Sequence, residues 1–298
     1  MSQEFKDHAE AGEEYSQESL SNMGVNKKIF FLTGLPRAGN TLFSCLMNQN
    51  PRISVTANSN TSEILWQISN LKNGETFKNF PDHESLDNVL SNILPNYYSK
   101  WKADYIIDRS TWGIKANIDL LKKYLKNEIK IIVLERSLIE VLSSFIRFSK
   151  NNANFLSGFD SVEKQCDHLM GYNSQINRSM LSVNELKKPE YKNHTHFIQY
   201  DDLVNNTEHE MGKVYEFLGI DHFEHSYTNL SQLENNDVKY NDKILGGDLH
   251  KIKTDKIQKS DYKVKDVLTD ELIEKYSAIE KLINDNSRKS LSTLGVNI

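Results

Sequence analysis

The sequence predicts an α/β fold of the P-loop type, with a mainly parallel sheet flanked by helices on both faces. Three observations lead there. The short apolar runs at 29–32 and 130–134 read as strands buried on both faces. Segments with apolar residues at helical spacing alternate with such runs. A glycine-framed turn, GLPRAGNT at 34–41, joins the first run to a helix.

Taken in order, residues 1–26 are acidic and polar, and are expected to form a flexible tail ahead of one domain over 27–298. KKIFFLTG is the first strand. LFSCLMNQ follows the turn, carries Leu42, Phe43, Leu46 and Met47 at helical spacing, and is closed by Pro51. Ile64, Leu65, Ile68 and Leu71 share one helical face, and 85–101 reads as helix. Tyr105 to Ile107 is a short strand before Asp108, and 120–125 is helical. KIIVL, at 130–134, is the clearest buried strand after the first. The next helix carries Leu138, Val141, Leu142 and Phe145. One long polar helical region is expected over 160–187, then a strand at HFIQ, 196–199. Thr207 and Glu210 have capping-box spacing ahead of another helix, and Gly219 sits where its C-terminal cap belongs. Residues 221–260 read as irregular, and a final helix spans about 269–285. No internal repeat is visible.

Composition narrows the function. The 298 residues carry 36 Lys and Arg against 41 Asp and Glu, a net charge of −5. That excludes gripping a long polyanion such as nucleic acid by charge alone, and leaves open a small anion held by a few donors. Only 7 of the 36 basic residues are Arg, so the planar fork suited to phosphate or sulfate is used at few places. No run approaches the ~20 apolar residues of a membrane helix, and no signal-peptide core precedes the first strand. Cys45 and Cys166 give neither a disulfide framework nor zinc spacing. A cytoplasmic chain of bacterial or viral type, with no membrane partner and no metal requirement, is expected.

The turn at 34–41 has the frame G-x-x-x-x-G-x-T, with Asn40 where a P-loop places lysine. Inward-facing amides and a helix N-terminus make such a loop a nest for phosphate. Arg37 supplies the cation and Thr41 a hydroxyl, without the lysine that nucleoside triphosphate chemistry uses. A second constellation follows KIIVL. Arg136 ends the strand, and Ser144 lies two turns along the next helix, a spacing that would let the two clamp one phosphate; Ser144 alone suits a solvated helix position, and the pair is informative only beside the first loop.

Together these segments resemble the family of sulfotransferases that use 3′-phosphoadenosine 5′-phosphosulfate (PAPS). FLTGLPRAGNTLFSCLMNQNP is similar to the 5′-phosphosulfate loop, and its Arg37 is closer to the tyrosylprotein and bacterial branches than to the cytosolic small-molecule branch. IIVLERSLIEVLSSFIRFS is similar to the 3′-phosphate segment. FIQYDDLVNNTEHEMGKVYEFLGI is similar to the Tyr-Glu-Asp-Leu segment, with Asp201 in place of Glu. The resemblance implies in-line transfer of a sulfonate from PAPS to an acceptor hydroxyl or amine, with release of the desulfated nucleotide PAP. It implies that Arg37 neutralises the moving sulfonate, that Pro36, Ala38, Gly39, Asn40, Thr41 and Leu42 cradle the 5′-phosphate, that Arg136 and Ser144 hold the 3′-phosphate, and that Tyr200 lies near the adenine or packs in the core. A late basic loop in the family makes Lys251 and Lys253 weaker candidate ligands. His250 reads as structural or exposed.

A hydroxyl acceptor needs a proton acceptor within reach. Glu63 is the first candidate and Asp108 the second. Glu63 equally suits a first-turn carboxylate answering the helix dipole. Asp108 equally suits a structural role or an ion pair with Arg109. Two rival readings stay open: a nucleotide kinase or NTPase, against which Asn40 speaks, and a non-catalytic nucleotide-binding protein, which gains if neither carboxylate faces the sulfonate. The acceptor is not legible.

Overall fold

A computed structural model describes residues 27–285, except 153, 173, 236, 237, 246 and 260. The expected tail over 1–26 lies outside the described residues.

The chain begins with β1 (Lys28–Gly34), whose Ile29, Phe30, Phe31 and Leu32 are all buried. It continues through α1 (Asn40–Met47), β2 (Ile53–Val55), α2 (Thr61–Asn70), the short α3 (Glu75–Asn79) and α4 (His83–Tyr97). Next come β3 (Tyr105–Arg109), α5 (Lys115–Tyr124), β4 (Ile131–Glu135), α6 (Leu138–Asn151), α7 (Val162–Met170) and α8 (Gln175–Leu186). Then follow β5 (Thr195–Gln199), α9 (Tyr200–Asn205), α10 (Thr207–Leu218), the two-stranded β6 (Glu234–Asn235) and β7 (Val238–Lys239), and α11 (Asp270–Asn284).

The main sheet has the order β2-β3-β1-β4-β5, and every pairing is parallel. Consecutive buried residues in β1 and β4 show that helices cover both faces. From β1 the chain runs out to the edge strand β2, returns as β3 beside β1, and then crosses β1 to form β4 on its other side. A crevice therefore opens at the carboxyl ends of β1 and β4, where ligands of such sheets bind. Gly34 has φ +149°, and a Cβ there would lie 2.3 Å from the Leu134 carbonyl oxygen, so glycine alone lets β1 end so close to β4.

The structure departs from the sequence reading at several elements. Edge strand β2 was not expected, because three residues after Pro51 carry no pattern of their own. The long polar helix is two helices. The first stops at Gly171, and Ser174 starts the second by accepting the Asn177 amide at 3.1 Å. The capping box does not form. Asn206 precedes α10, Thr207 donates back to the Leu203 carbonyl at 2.7 Å, and Glu210 pairs with Lys213 at 2.6 Å. Gly219 does cap α10, in the left-handed region at φ 66°.

Candidate active site

Beyond Gly34 the chain must turn across the sheet edge into α1. Arg37 at φ 64° and Gly39 at φ 86° flank a fully buried Ala38. Such left-handed steps turn successive amides to one side and make an anion-binding concavity. The first-turn amides of α1 have no carbonyl of their own helix, and no side chain caps them. Asn40 ties the loop shut by donating to the Leu35 carbonyl at 2.7 Å. In the P-loop frame this position is lysine. Here it is buried and spent on structure.

A cavity of about 950 Å³ opens over this loop. Pro36, Arg37, Gly39, Asn40, Thr41 and Leu42 form one wall. Arg136 and Tyr200 enter from the ends of β4 and β5, Ser144 from the middle of α6, and Lys251 from the late loop. Ala38 lies beneath the wall. Phe145, Phe155, Leu156, Leu169 and Ile176 add apolar lining, interspersed with His168, Ser174 and Gln175.

Arg37 is the junction of the site. Its Nε donates to Ser144 Oγ at 3.0 Å, and its Nη1 donates to the Leu249 carbonyl at 2.5 Å. Arg136 Nη1 donates to the Arg37 carbonyl at 2.9 Å, and its guanidinium lies 4.0 Å from the Tyr200 ring centre. Burial first, then the Arg136 charge, pushes the Arg37 pKa below its ordinary value. A third arginine, Arg109, reaches the cavity from the end of β3. Its Nη1 donates to the Ala57 carbonyl at 2.8 Å and to Tyr240 Oη at 2.9 Å. Among the described residues, Arg136 pairs with a carboxylate, Glu140 at 3.5 Å, while Arg37 and Arg109 form no ion pair. Positive charge converges here with little internal compensation, which is the electrostatic shape of an anion site.

The two carboxylates expected as bases are elsewhere. Glu63 is exposed on α2, accepts from Gln67 Nε2 at 2.7 Å, and is off the cavity wall. Asp108 is completely buried and accepts from Thr61 Oγ1 at 2.5 Å, Tyr98 Oη at 2.6 Å and Trp112 Nε1 at 3.0 Å, with Ser59 Oγ as a fourth donor. Burial raises its pKa and the four donors oppose that. It makes no ion pair with Arg109 among the described residues. Its oxygens are committed to joining β3 to α2 and α4.

A model of the Sulfotransferase family matches residues 30–225. The chain belongs to the sulfotransferase family. The match contains Arg37, Arg136, Ser144 and Tyr200, and it ends before the late loop that closes the cavity. A search of curated proteins finds no match. Among solved structures, the chain is similar to mouse sulfotransferase SULT7A1 complexed with PAP, at 17% identity and a TM-score of 0.43. That similarity covers 66% of this chain and 60% of the mouse chain, less than two thirds of its length. It is similar to the sulfotransferase domain of the Synechococcus PCC 7002 olefin synthase at 15% identity and a TM-score of 0.48, over 78% of this chain and 90% of that one. An Alicyclobacillus acidocaldarius sulfotransferase matches at 12% identity and a TM-score of 0.43, over 67% of this chain and 84% of that one.

In this sulfotransferase-family chain the late loop holds what sequence reading missed. His250 lies on the cavity wall with its side chain only 16% exposed, held by Asp242. Asp242 stands eight residues earlier in an irregular segment, where no periodicity links the two. Among the described residues no group of three or more His, Cys, Asp or Glu could hold a metal ion, and no helix is long and apolar enough to cross a membrane.

Proposed function

We propose that this chain transfers a sulfonate group from PAPS to an acceptor hydroxyl or amine by in-line displacement and releases PAP. The observation that carries this reading is the convergence of Arg37, Arg136 and Ser144 on one cavity over the turn at 34–41. An ADP-like nucleotide needs one phosphate site. PAPS needs a second, at the 3′ position, and a cation beside the sulfonate.

In this reading the amides of 39–42 hold the 5′-phosphate, and Arg136 and Ser144 hold the 3′-phosphate. Ser144 accepts from Arg37, so its own proton is free to be donated. Arg37 supplies the preorganised charge that offsets what develops on the transferring group and its leaving oxygen. The apolar lining, with Phe145, Phe155 and Leu156, excludes water and faces the acceptor. Asn40, bonded to Leu35, leaves the turn at 34–41 without the P-loop lysine that grips a triphosphate, which opposes the kinase reading.

A non-catalytic nucleotide-binding protein is the second reading, favoured by the absence of Glu63 and Asp108 from the cavity wall. Thermal unfolding separates the possibilities. PAP at a hundredfold excess over its Kd should raise Tm by about 4 to 5 °C without magnesium, and ADP should do less. Equal or greater stabilisation by magnesium-ATP refutes the proposal. PAP binding without PAP release from PAPS supports the second reading.

A further inference from the structure

With both expected carboxylates off the wall, a proton acceptor has to come from elsewhere in the cavity. Among the described residues, no Asp or Glu lines it, and its imidazoles are His168 and His250. His168 packs on the Phe159 ring at 4.3 Å between centres, and no carboxylate bond orients it among the described residues. His250 is held from three sides. Its backbone amide donates to Asp242 Oδ2 at 2.7 Å, its Nδ1 lies 2.6 Å from Asp242 Oδ1, and its ring stacks on Tyr240 at 3.9 Å and 3°.

The partners place that ring. Leu249, its chain neighbour, receives Arg37 Nη1. Tyr240, beneath it, receives Arg109 Nη1 at 2.9 Å. His250 is therefore linked through its neighbours to both Arg37 and Arg109, the cavity arginines without an ion pair among the described residues. An ionised Asp242 can only accept, so Nδ1 carries the hydrogen and the Nε2 lone pair remains available.

We propose that His250 is the general base of the transfer and that Asp242 positions it and stabilises its charged form. The proposal rests on the sulfonate-transfer reading above. In the step, the acceptor O–H proton passes to His250 Nε2 as the acceptor oxygen forms its bond to sulfur. The bond from sulfur to the 5′-phosphate oxygen breaks, and its electron pair stays on that oxygen in PAP. The imidazolium faces the Asp242 carboxylate, and its proton later returns to solvent.

The charged and titratable groups facing the ring are Asp242, Arg37, Arg109 and Tyr240. Burial lowers the His250 pKa most, Asp242 raises it, and Arg109 and Arg37 lower it further, so the net direction is down. The neutral form that a base requires is then the resting form near neutral pH.

The test uses the full chain and its variants His250→Gln and Asp242→Asn. PAP affinity is measured by calorimetry, and PAP release from PAPS is measured with water and with a series of phenols. His250→Gln should bind PAP within a few-fold of native and lose about 10² to 10⁴ in kcat toward acceptors that must be deprotonated. The loss should be much smaller toward a phenol already ionised at the assay pH. In the native protein, kcat/KM should rise with pH through one acid limb, which His250→Gln removes. Asp242→Asn removes the carboxylate that raises the imidazole pKa, so it should move that limb to lower pH. Nitrogen NMR should find the proton on Nδ1 in the native ring. If His250→Gln folds, binds PAP and keeps its rate and acid limb, His250 is not the base and the transfer reading stands. If native protein fails to bind PAP or to release it from PAPS, the transfer reading falls and takes the base with it. Should His250→Gln not fold, the limb shift and ring tautomer in Asp242→Asn decide, and an unmoved limb overturns the proposal.

Discussion

Asp108→Ala should destabilise the fold without directly removing a proton acceptor from the reaction. The carboxylate accepts four side-chain donors. Tyr98 and Trp112 are both completely buried. Removing the acceptor leaves at least these two donors unpaired, at about 1 to 3 kcal/mol each, so the variant should lose about 2 to 6 kcal/mol. Against a typical total of about 5 to 15 kcal/mol, that brings the protein near its unfolding threshold. Asp108→Asn keeps one carbonyl oxygen, and the hydroxyls of Ser59 and Thr61 can turn to accept, so it should lose less. The assay is urea unfolding by circular dichroism, read as the midpoint at constant slope, with PAP affinity measured on whatever remains folded. Asp108→Asn should have a lowered midpoint and near-native PAP affinity. A native midpoint combined with a hundredfold loss in kcat would show that Asp108 serves the chemistry, and the structural account would be wrong.

Arg136→Ala should weaken PAP by about 10- to 100-fold and ADP by much less, since a charge-assisted bond contributes about 1.5 to 3 kcal/mol; calorimetry with both nucleotides checks this, and equal losses remove Arg136 from the 3′-phosphate. Gly39→Ala should abolish PAP binding and lower Tm, because φ there is +86° and a Cβ would lie 3.1 Å from both Tyr200 and Leu203; an unchanged PAP affinity would refute the tight-loop argument. His225 is buried, and burial first, then His222, lowers its pKa to about 4 from an ordinary 6.5, with the Leu46 backbone opposing the shift. A lowered folded pKa means the unfolded chain takes up the proton first, so stability should fall as pH drops from about 6.5 to about 4, by roughly 3 kcal/mol. His225→Phe should flatten that part of the urea-midpoint profile, and an unchanged slope would exclude His225 as its source.

The parts of the fold that could be read in advance share a local signature. The runs at 29–32 and 131–134 are buried on both faces, so their apolar character is unbroken. The loop at 34–41 announces itself through Gly34 and Gly39, each fixed by a backbone conformation or close approach. Arg37 and Arg136 stood out because arginine is scarce in a lysine-rich chain. What stayed hidden depends on long-range partners. β2 exists through its pairing with β3, and Gly171 ends α7 within a stretch that is polar throughout. Asp108 looks like a catalytic carboxylate from its place at a strand end, yet its role is set by Tyr98, just past α4, and Thr61 from α2. His250 looked incidental because Asp242, Tyr240 and the loop at 34–41 meet it only in three dimensions.

The central place of β1 has a consequence for how the molecule comes into being. The first strand pairs only with β3 and β4, at residues 105–109 and 131–135. A ribosome working from the N-terminus therefore leaves this apolar strand without a partner until residue 109 has been made, and with one open edge until residue 134. Such high contact order delays closure and leaves a sticky edge in the meantime. The Arg37 bond to Leu249 spans 212 residues. The cavity wall is finished only when the last quarter of the chain arrives, so a nucleotide cannot act as an early template and should speed only the final stage of folding.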